Sequence, residues 1–226
     1  IKSILRMEGA LLDDFAGEFK DIYPAAADET PRICFNGSGN YHHLSFFLLK
    51  DIRRPFALDV IDAHTDYRKL AEDAFDCGSW VMRAMALENV KETHLAGIKI
   101  EKKWRYTNNL FRFPEGVEIL AAEKNKKVYL GGFKSRSFKD ISAAPLIEAE
   151  DVYISIDLDS LGGNFVSTEW GNGYLTVKNI TDFIGEIKRK HRIIGYDICG
   201  LTASPDRKSL ETLASIVKAI GVRSCP

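Results

Sequence analysis

Short apolar runs rich in β-branched or aromatic residues alternate along this chain with longer stretches of helical periodicity, and this alternation narrows the fold more than any other feature. The runs are Arg32 to Phe35, Phe56 to Ile61, His94 to Ile100, Val117 to Ala121, Val128 to Leu130, Val152 to Ile156 and Ile193 to Ile198. Near-continuous apolar runs of this length predict strands buried on both faces, the signature of a parallel sheet. Helices are expected over Leu44 to Lys50, Ser79 to Asn89, Val177 to Lys190 and Asp206 to Ile220. Ser204-Pro205-Asp206 offers the last helix a cap-like start, and Gly221 suits its C-terminal stop. The expected architecture is a three-layer α/β/α fold with a largely parallel central sheet, in one domain spanning residues 1–226.

Three of the predicted strands lead directly into residues that carry chemistry. Asp62-Ala63-His64-Thr65-Asp66 follows Phe56 to Ile61 and so falls at a strand's carboxyl end, the edge where open α/β sheets bind ligands. Clustered carboxylates repel one another unless a cation or a basic partner neutralises them. Ser155-Ile156-Asp157-Leu158-Asp159 repeats the arrangement, and in an extended segment its two aspartates face the same side. Gly37-Ser38-Gly39-Asn40-Tyr41-His42-His43 is a glycine-rich turn that delivers two imidazoles at the start of a helix. Each segment alone has a bland reading: a solvated Asp-x-Asp turn, or a satisfied His-His pair. Together, three strand ends of one sheet supply oxygen and nitrogen donors suited to manganese-like ions.

These motifs resemble those of the ureohydrolases, the family of arginase and agmatinase, whose fold the histone deacetylases share. Asp62-Ala63-His64-Thr65-Asp66 is similar to the family's DAHxD motif, and Ser155-Ile156-Asp157-Leu158-Asp159 to its SxDxD motif. Gly39-Asn40-Tyr41-His42 resembles a variant of its GGDH motif with one inserted residue, so that either His42 or His43 stands at the ligand position, with His42 preferred. The resemblance runs from about Arg32 to Pro205. It implies an arginase-like fold, a small-molecule substrate and two divalent metal ions, Mn2+ foremost. It further implies that His42 and Asp66 hold one ion, that His64 and Asp159 hold the other, and that Asp62 and Asp157 bridge them. Two such ions activate a shared water for attack on an electrophilic carbon, with Asp66 placed to accept a hydrogen bond from it. Family members often form trimers or hexamers, so a homo-oligomer is in keeping with the resemblance.

The chain also departs from the family pattern. Where arginases place a histidine near the substrate, this sequence reads Cys77-Gly78-Ser79-Trp80, making Cys77 the candidate replacement for a proton-transfer group. The preferred reading of the side chain is a small buried residue; as a helix N-terminal thiol near the metal site it would instead have a lowered pKa. The family's guanidinium-recognising glutamate follows a late strand of the type DIxE, whereas this chain reads Asp197-Ile198-Cys199-Gly200-Leu201, with no carboxylate at or beside that position. A guanidinium would lack its charge-assisted partner there. Arg68 favours an anionic substrate, unless it simply pairs with a neighbouring aspartate. Trp170 is a candidate pocket wall, and Glu169 a candidate replacement carboxylate from another loop.

Composition narrows the partners. A net charge of −1 gives no electrostatic footprint for nucleic acid, and no window approaches the roughly 18 to 20 apolar residues of a membrane span. The four cysteines lie far apart without a CxxC pair, which points to a reducing cytoplasm. The expected activity is hydrolysis of a C–N bond in an amidine, guanidine or amide, with arginine itself disfavoured. The alternatives are a deacetylase-like zinc hydrolase, or a non-catalytic descendant that binds metal or senses a metabolite.

Overall fold

The computed structural model describes residues 31–68, 70, 74–99, 127–131 and 147–221. Six strands run through them: β1 (Arg32–Gly37), β2 (Phe56–Ile61), β3 (Val90–Ala96), β4 (Lys127–Gly131), β5 (Asp151–Asp157) and β6 (Arg192–Cys199). They form one sheet in the order β1-β6-β5-β2-β3-β4, and every pairing is parallel. Among the described residues four α-helices accompany the sheet: α1 (Leu44–Lys50), α2 (Trp80–Ala84), α3 (Val177–Lys190) and α4 (Arg207–Ile220).

Alternation along the central strands builds two cores. Ala57 and Ile61 of β2 join Val152, Ile154 and Ile156 of β5 on one face, where α3 contributes Ile180, Phe183, Ile184 and Ile187 and α4 contributes Ile216 and Ile220. Phe56, Leu58 and Val60 turn to the opposite face, which is closed by Phe46, Phe47 and Leu49 of α1 and by Trp80 and Val81 of α2. Helices on both faces of a parallel sheet give the expected three layers.

The termini of the long helices follow local chemistry. Thr176 and Asn179 form a reciprocal capping box at the start of α3. Asp206 caps α4 by accepting from Ser209 N at 2.7 Å, and Gly221 ends it in the left-handed region with φ +78°. Leu44–Lys50 and Val177–Lys190 have the expected limits.

Two elements differ from expectation. The strand expected from His94 to Ile100 is instead Val90–Ala96, because Glu92, Thr93 and His94 are buried polar residues that interrupt the apolar pattern without interrupting the strand. The helix expected over Ser79 to Asn89 keeps only Trp80–Ala84, after which the chain turns back into β3. The expected run Val117 to Ala121 lies outside the described residues. No described helix is long and apolar enough to cross a membrane.

Candidate metal centre

Neighbouring strands of the sheet aim their carboxyl ends at one point. β1 leads through Ser38 into a short 3-10 turn, Gly39–Tyr41, that ends at His42. β2 ends immediately before Asp62, whose amide extends the ladder to Ala96 O at 2.9 Å. β5 ends at Asp157, and a second 3-10 turn, Leu158–Ser160, carries Asp159. The Asp157 carboxylate starts that turn by accepting from Asp159 N at 2.9 Å.

His42 sits at the centre of this convergence. Its Nδ1 lies 3.1 Å from Asp62 Oδ2, 3.0 Å from Asp66 Oδ2 and 3.5 Å from Asp157 Oδ2. His42 Nδ1 and Asp62 Oδ2 are nevertheless buried without a hydrogen bond of acceptable geometry. A nitrogen facing three carboxylate oxygens, bonded to none, has the donor arrangement of a cation site. His64 Nδ1 completes a second group, 2.9 Å from Asp159 Oδ2 and 3.5 Å from Asp62 Oδ1. The sets His42-Asp62-Asp66 and Asp62-His64-Asp159 each bring their ligand atoms within 4.8 Å of one another and share Asp62. The six residues proposed from sequence as metal ligands lie together, and Asp62 belongs to both groups. Two divalent cations would balance the four carboxylates charge for charge with both imidazoles neutral, so the donor set fits the ions that the family motifs imply.

His43 takes another course. It packs edge-on against Phe75, with ring centroids 5.4 Å apart, and burial lowers its pKa to about 4. Of the two candidate histidines, His42 is the one beside the carboxylates.

Protonation reflects the crowding. Burial and the Asp62 charge push Asp66 up to about 7, while burial and the charges of Asp62 and Asp157 push Asp159 up to about 8. Burial likewise raises Asp157. Burial also opposes the charge on Asp62, but the His42 and His64 imidazoles beside it outweigh burial and hold this carboxyl below the usual range. Hydrogen bonds to Asp159 and Asp62 raise His64 to about 11. Without a metal, the cluster is held together by protons that a cation would displace.

A second layer orients the ligands. His42 Nε2 lies 2.9 Å from Ser155 Oγ, which donates to Asp197 Oδ1 at 2.8 Å. Ser45 Oγ donates to the same oxygen at 2.8 Å and accepts from Asn36 Nδ2 at 3.1 Å. This buried chain fixes the face that His42 presents. Trp80 Nε1 donates to Asp66 Oδ2 at 2.8 Å. Asp66 has φ +45°, the one positive value outside glycine among the described residues, and Val81 N holds its carbonyl at 3.0 Å. Aspartate tolerates this region better than most side chains.

A cleft of about 290 Å³ opens over the cluster, and its wall includes His64, Thr65, Arg68, Cys77, Gly78 and Trp170. Of the residues that sequence offered for catalysis or substrate binding, Arg68, Cys77 and Trp170 line this cleft. The Arg68 guanidinium is ion-paired with Asp76, which favours the pairing reading over a free anion anchor. Burial and the Asp66 and Asp76 charges push the Cys77 thiol up to about 12, opposite to the lowering expected at a helix start. Glu169 does not line the cleft; it accepts from Ser38 Oγ at 2.6 Å and Asn40 Nδ2 at 3.0 Å, which ties its loop to the His42 turn. Trp170 donates to Asn40 Oδ1 at 2.8 Å beside it.

Sequence reasoning passed over two features. Cys199 Sγ donates to Asp157 Oδ2 at 3.2 Å. Gly200, at the fourth position of the DIxE-like stretch, has φ +98°, and a Cβ built there would lie 2.4 Å from Asp157 Oδ1. No side chain fits at that position without moving the cluster.

A family model described as "Arginase family" matches residues 41–222, a span that includes every strand end described above except that of β1. The chain belongs to the arginase family. An uncharacterized protein of Thermotoga maritima is 27% identical over 199 residues, covering 88% of this chain and 68% of the relative. Among solved structures, the agmatine ureohydrolase of Thermoplasma volcanium superposes with a TM-score of 0.63 at 18% identity, covering 92% of this chain and 66% of that one. The arginase of Bacillus cereus gives 0.65 at 11% identity, with 94% and 78% covered. The formimidoylglutamase of Bacillus subtilis gives 0.63 at 14% identity, with 92% and 65% covered. At these identities the likeness is one of fold, and this chain spans about two thirds of the first of these structures.

Proposed function

We propose that this arginase-family chain is a hydrolase that holds two divalent ions, Mn2+ foremost, and cleaves a C–N bond of a small amide or amidine other than arginine. The observation that carries this reading is His42 Nδ1, buried among three carboxylates and hydrogen-bonded to none of them. In the proposed assignment His42 and Asp66 would hold one ion and His64 and Asp159 the other, with Asp62 and Asp157 shared between them. When bound, the pair of ions supplies Lewis-acid activation of water. Asp66, anchored by the Trp80 indole, is placed to accept the proton of the attacking water and return it to the departing nitrogen. Cys77 keeps its proton at neutral pH and serves as wall, not base. Members of this family hydrolyse C–N bonds, and the solved relatives named above include an agmatine ureohydrolase and a formimidoylglutamase.

The exclusion of arginine rests on Gly200, where the family's guanidinium-recognising carboxylate would overlap Asp157. The same absence, with Cys77 in place of histidine, favours a second reading: a non-catalytic family member that retains its ions. Elemental analysis of protein purified without chelator, then supplemented with manganese, separates these readings together with a hydrolysis screen of amides, amidines and guanidines. Two ions per chain with turnover of an amide or amidine supports the proposal. Two ions with no turnover supports the non-catalytic reading, no ion under either condition overturns both, and turnover of arginine overturns the substrate assignment.

A further inference from the structure

We propose that Cys199 is a ligand of the ion held by His42, giving that position a sulfur donor and a preference for a softer divalent ion than its neighbour. This inference rests on the two-ion reading above. Cys199 is the last residue of β6 and pairs in register with Asp157, the last residue of β5, so both side chains rise from adjacent ladder positions. The ligand atoms of His42, Asp157 and Cys199 lie within 4.8 Å of one another, and all three residues are buried. His42 Nδ1, 1% exposed and without a hydrogen-bond partner, points into the same space. A thiol needs little else to act as a ligand, since sulfur bonds zinc-like ions at about 2.3 Å. Of the cysteines in the described residues, only Cys199 belongs to a group able to hold a metal: Cys77 lines the cleft outside these groups, and Cys34 lies in β1.

Coordination changes no oxidation state. The sulfur–metal bond forms as the thiol proton leaves to solvent, and the contact to Asp157 Oδ2 is exchanged for a shared ion. Thiolate donors favour zinc-like over manganese-like ions, so the two positions would differ in metal preference.

The test is to load the full chain with cobalt(II) and record visible and near-ultraviolet absorption, with equilibrium dialysis counting the ions bound. A sulfur-to-cobalt charge-transfer band is expected in the wild type and in Cys77→Ser and is expected to vanish in Cys199→Ser, whose visible cobalt bands persist. The preference for zinc over manganese, measured by competition, should fall about tenfold or more in Cys199→Ser. Bound cobalt without a charge-transfer band in the wild type overturns the assignment even if the variant does not fold. A band or a zinc preference unchanged in Cys199→Ser overturns it too. No cobalt bound by dialysis overturns the two-ion reading itself, and the sulfur ligand with it.

Discussion

At the amino end of the sheet, buried Asp151 takes Arg192 Nε at 2.5 Å and Arg54 Nε at 3.4 Å. Nearby, Glu92 accepts backbone amides of Glu148 at 3.0 Å and Ala149 at 2.8 Å. At the carboxyl end, Asp62, Asp66, Asp157 and Asp159 face two imidazoles and, among the described residues, no lysine or arginine in ion-pair contact. Both ends have a cavity, and that at the amino end, about 460 Å³, is larger than the 290 Å³ cleft. The amino-end carboxylates have fixed cations or amide donors, and their chemistry is complete. The carboxyl-end carboxylates outnumber their partners, and those partners are titratable, so charge is left for an ion to balance.

The contrast can be broken most sharply by paired truncation. Asp157→Ala is expected to abolish loading of both ions by elemental analysis, because the proposed bridging carboxylate is lost. Asp151→Ala should keep two ions per chain and lower stability by about 1 kcal/mol in urea unfolding, its arginines being half-exposed. Retention of both ions by Asp157→Ala would show the ligand assignment to be wrong.

Protonation gives the next largest effect. Asp66 at about 7, Asp159 at about 8 and His64 at about 11 all carry protons near pH 6 that an entering ion must displace. Metal affinity should rise by about tenfold per pH unit for each proton displaced, with a shallower slope above about pH 8, where the two carboxyls ionise unaided and His64 still carries its proton. Titration against a chelating dye at several pH values measures this, and a flat profile would contradict it.

Between the two ends lies a smaller, fully internal case. His94 of β3 faces Asp59 of β2 in register, with Nδ1 2.6 Å from Asp59 Oδ1 and Nε2 3.3 Å from Glu92 Oε2. Burial opposes its charge, but both carboxylates outweigh burial and raise it from 6.5 to about 9. A raised histidine contributes stability that is complete below about pH 6.5 and lost as pH climbs through about 9. The gap between wild type and His94→Gln in urea should therefore shrink by about 3 kcal/mol across that window. The smallest expected effect belongs to Cys77→Ala, which should leave metal content unchanged because the thiol lines the cleft outside the cation groups.

Sequence exposed β2, β5 and β6 because their runs are apolar on both faces, and with them the carboxylates that follow. It misplaced β3 because Glu92 and His94 are polar residues whose burial depends on partners from β2 and the segment before β5, invisible to a local pattern. It could not decide between His42 and His43, since only the turn after β1 determines which ring meets Asp62 and which meets Phe75. Glu169 was read as a pocket carboxylate on chain order alone, whereas two hydroxyl and amide donors from residues 38 and 40 draw it aside. Cys199 escaped notice because a thiol between apolar neighbours looks like packing until the parallel register sets it beside Asp157.

Gly200 carries a lesson for engineering. A designer wishing to turn this protein towards guanidines would first restore the missing acid by a single substitution at that position, and the left-handed backbone and the 2.4 Å approach to Asp157 close this route. The negative charge would have to come from another segment, such as the loop carrying Trp170, which lines the cleft. Specificity in this scaffold would then be rewritten by remodelling a loop, while the strand ends that gather the carboxylates stay untouched.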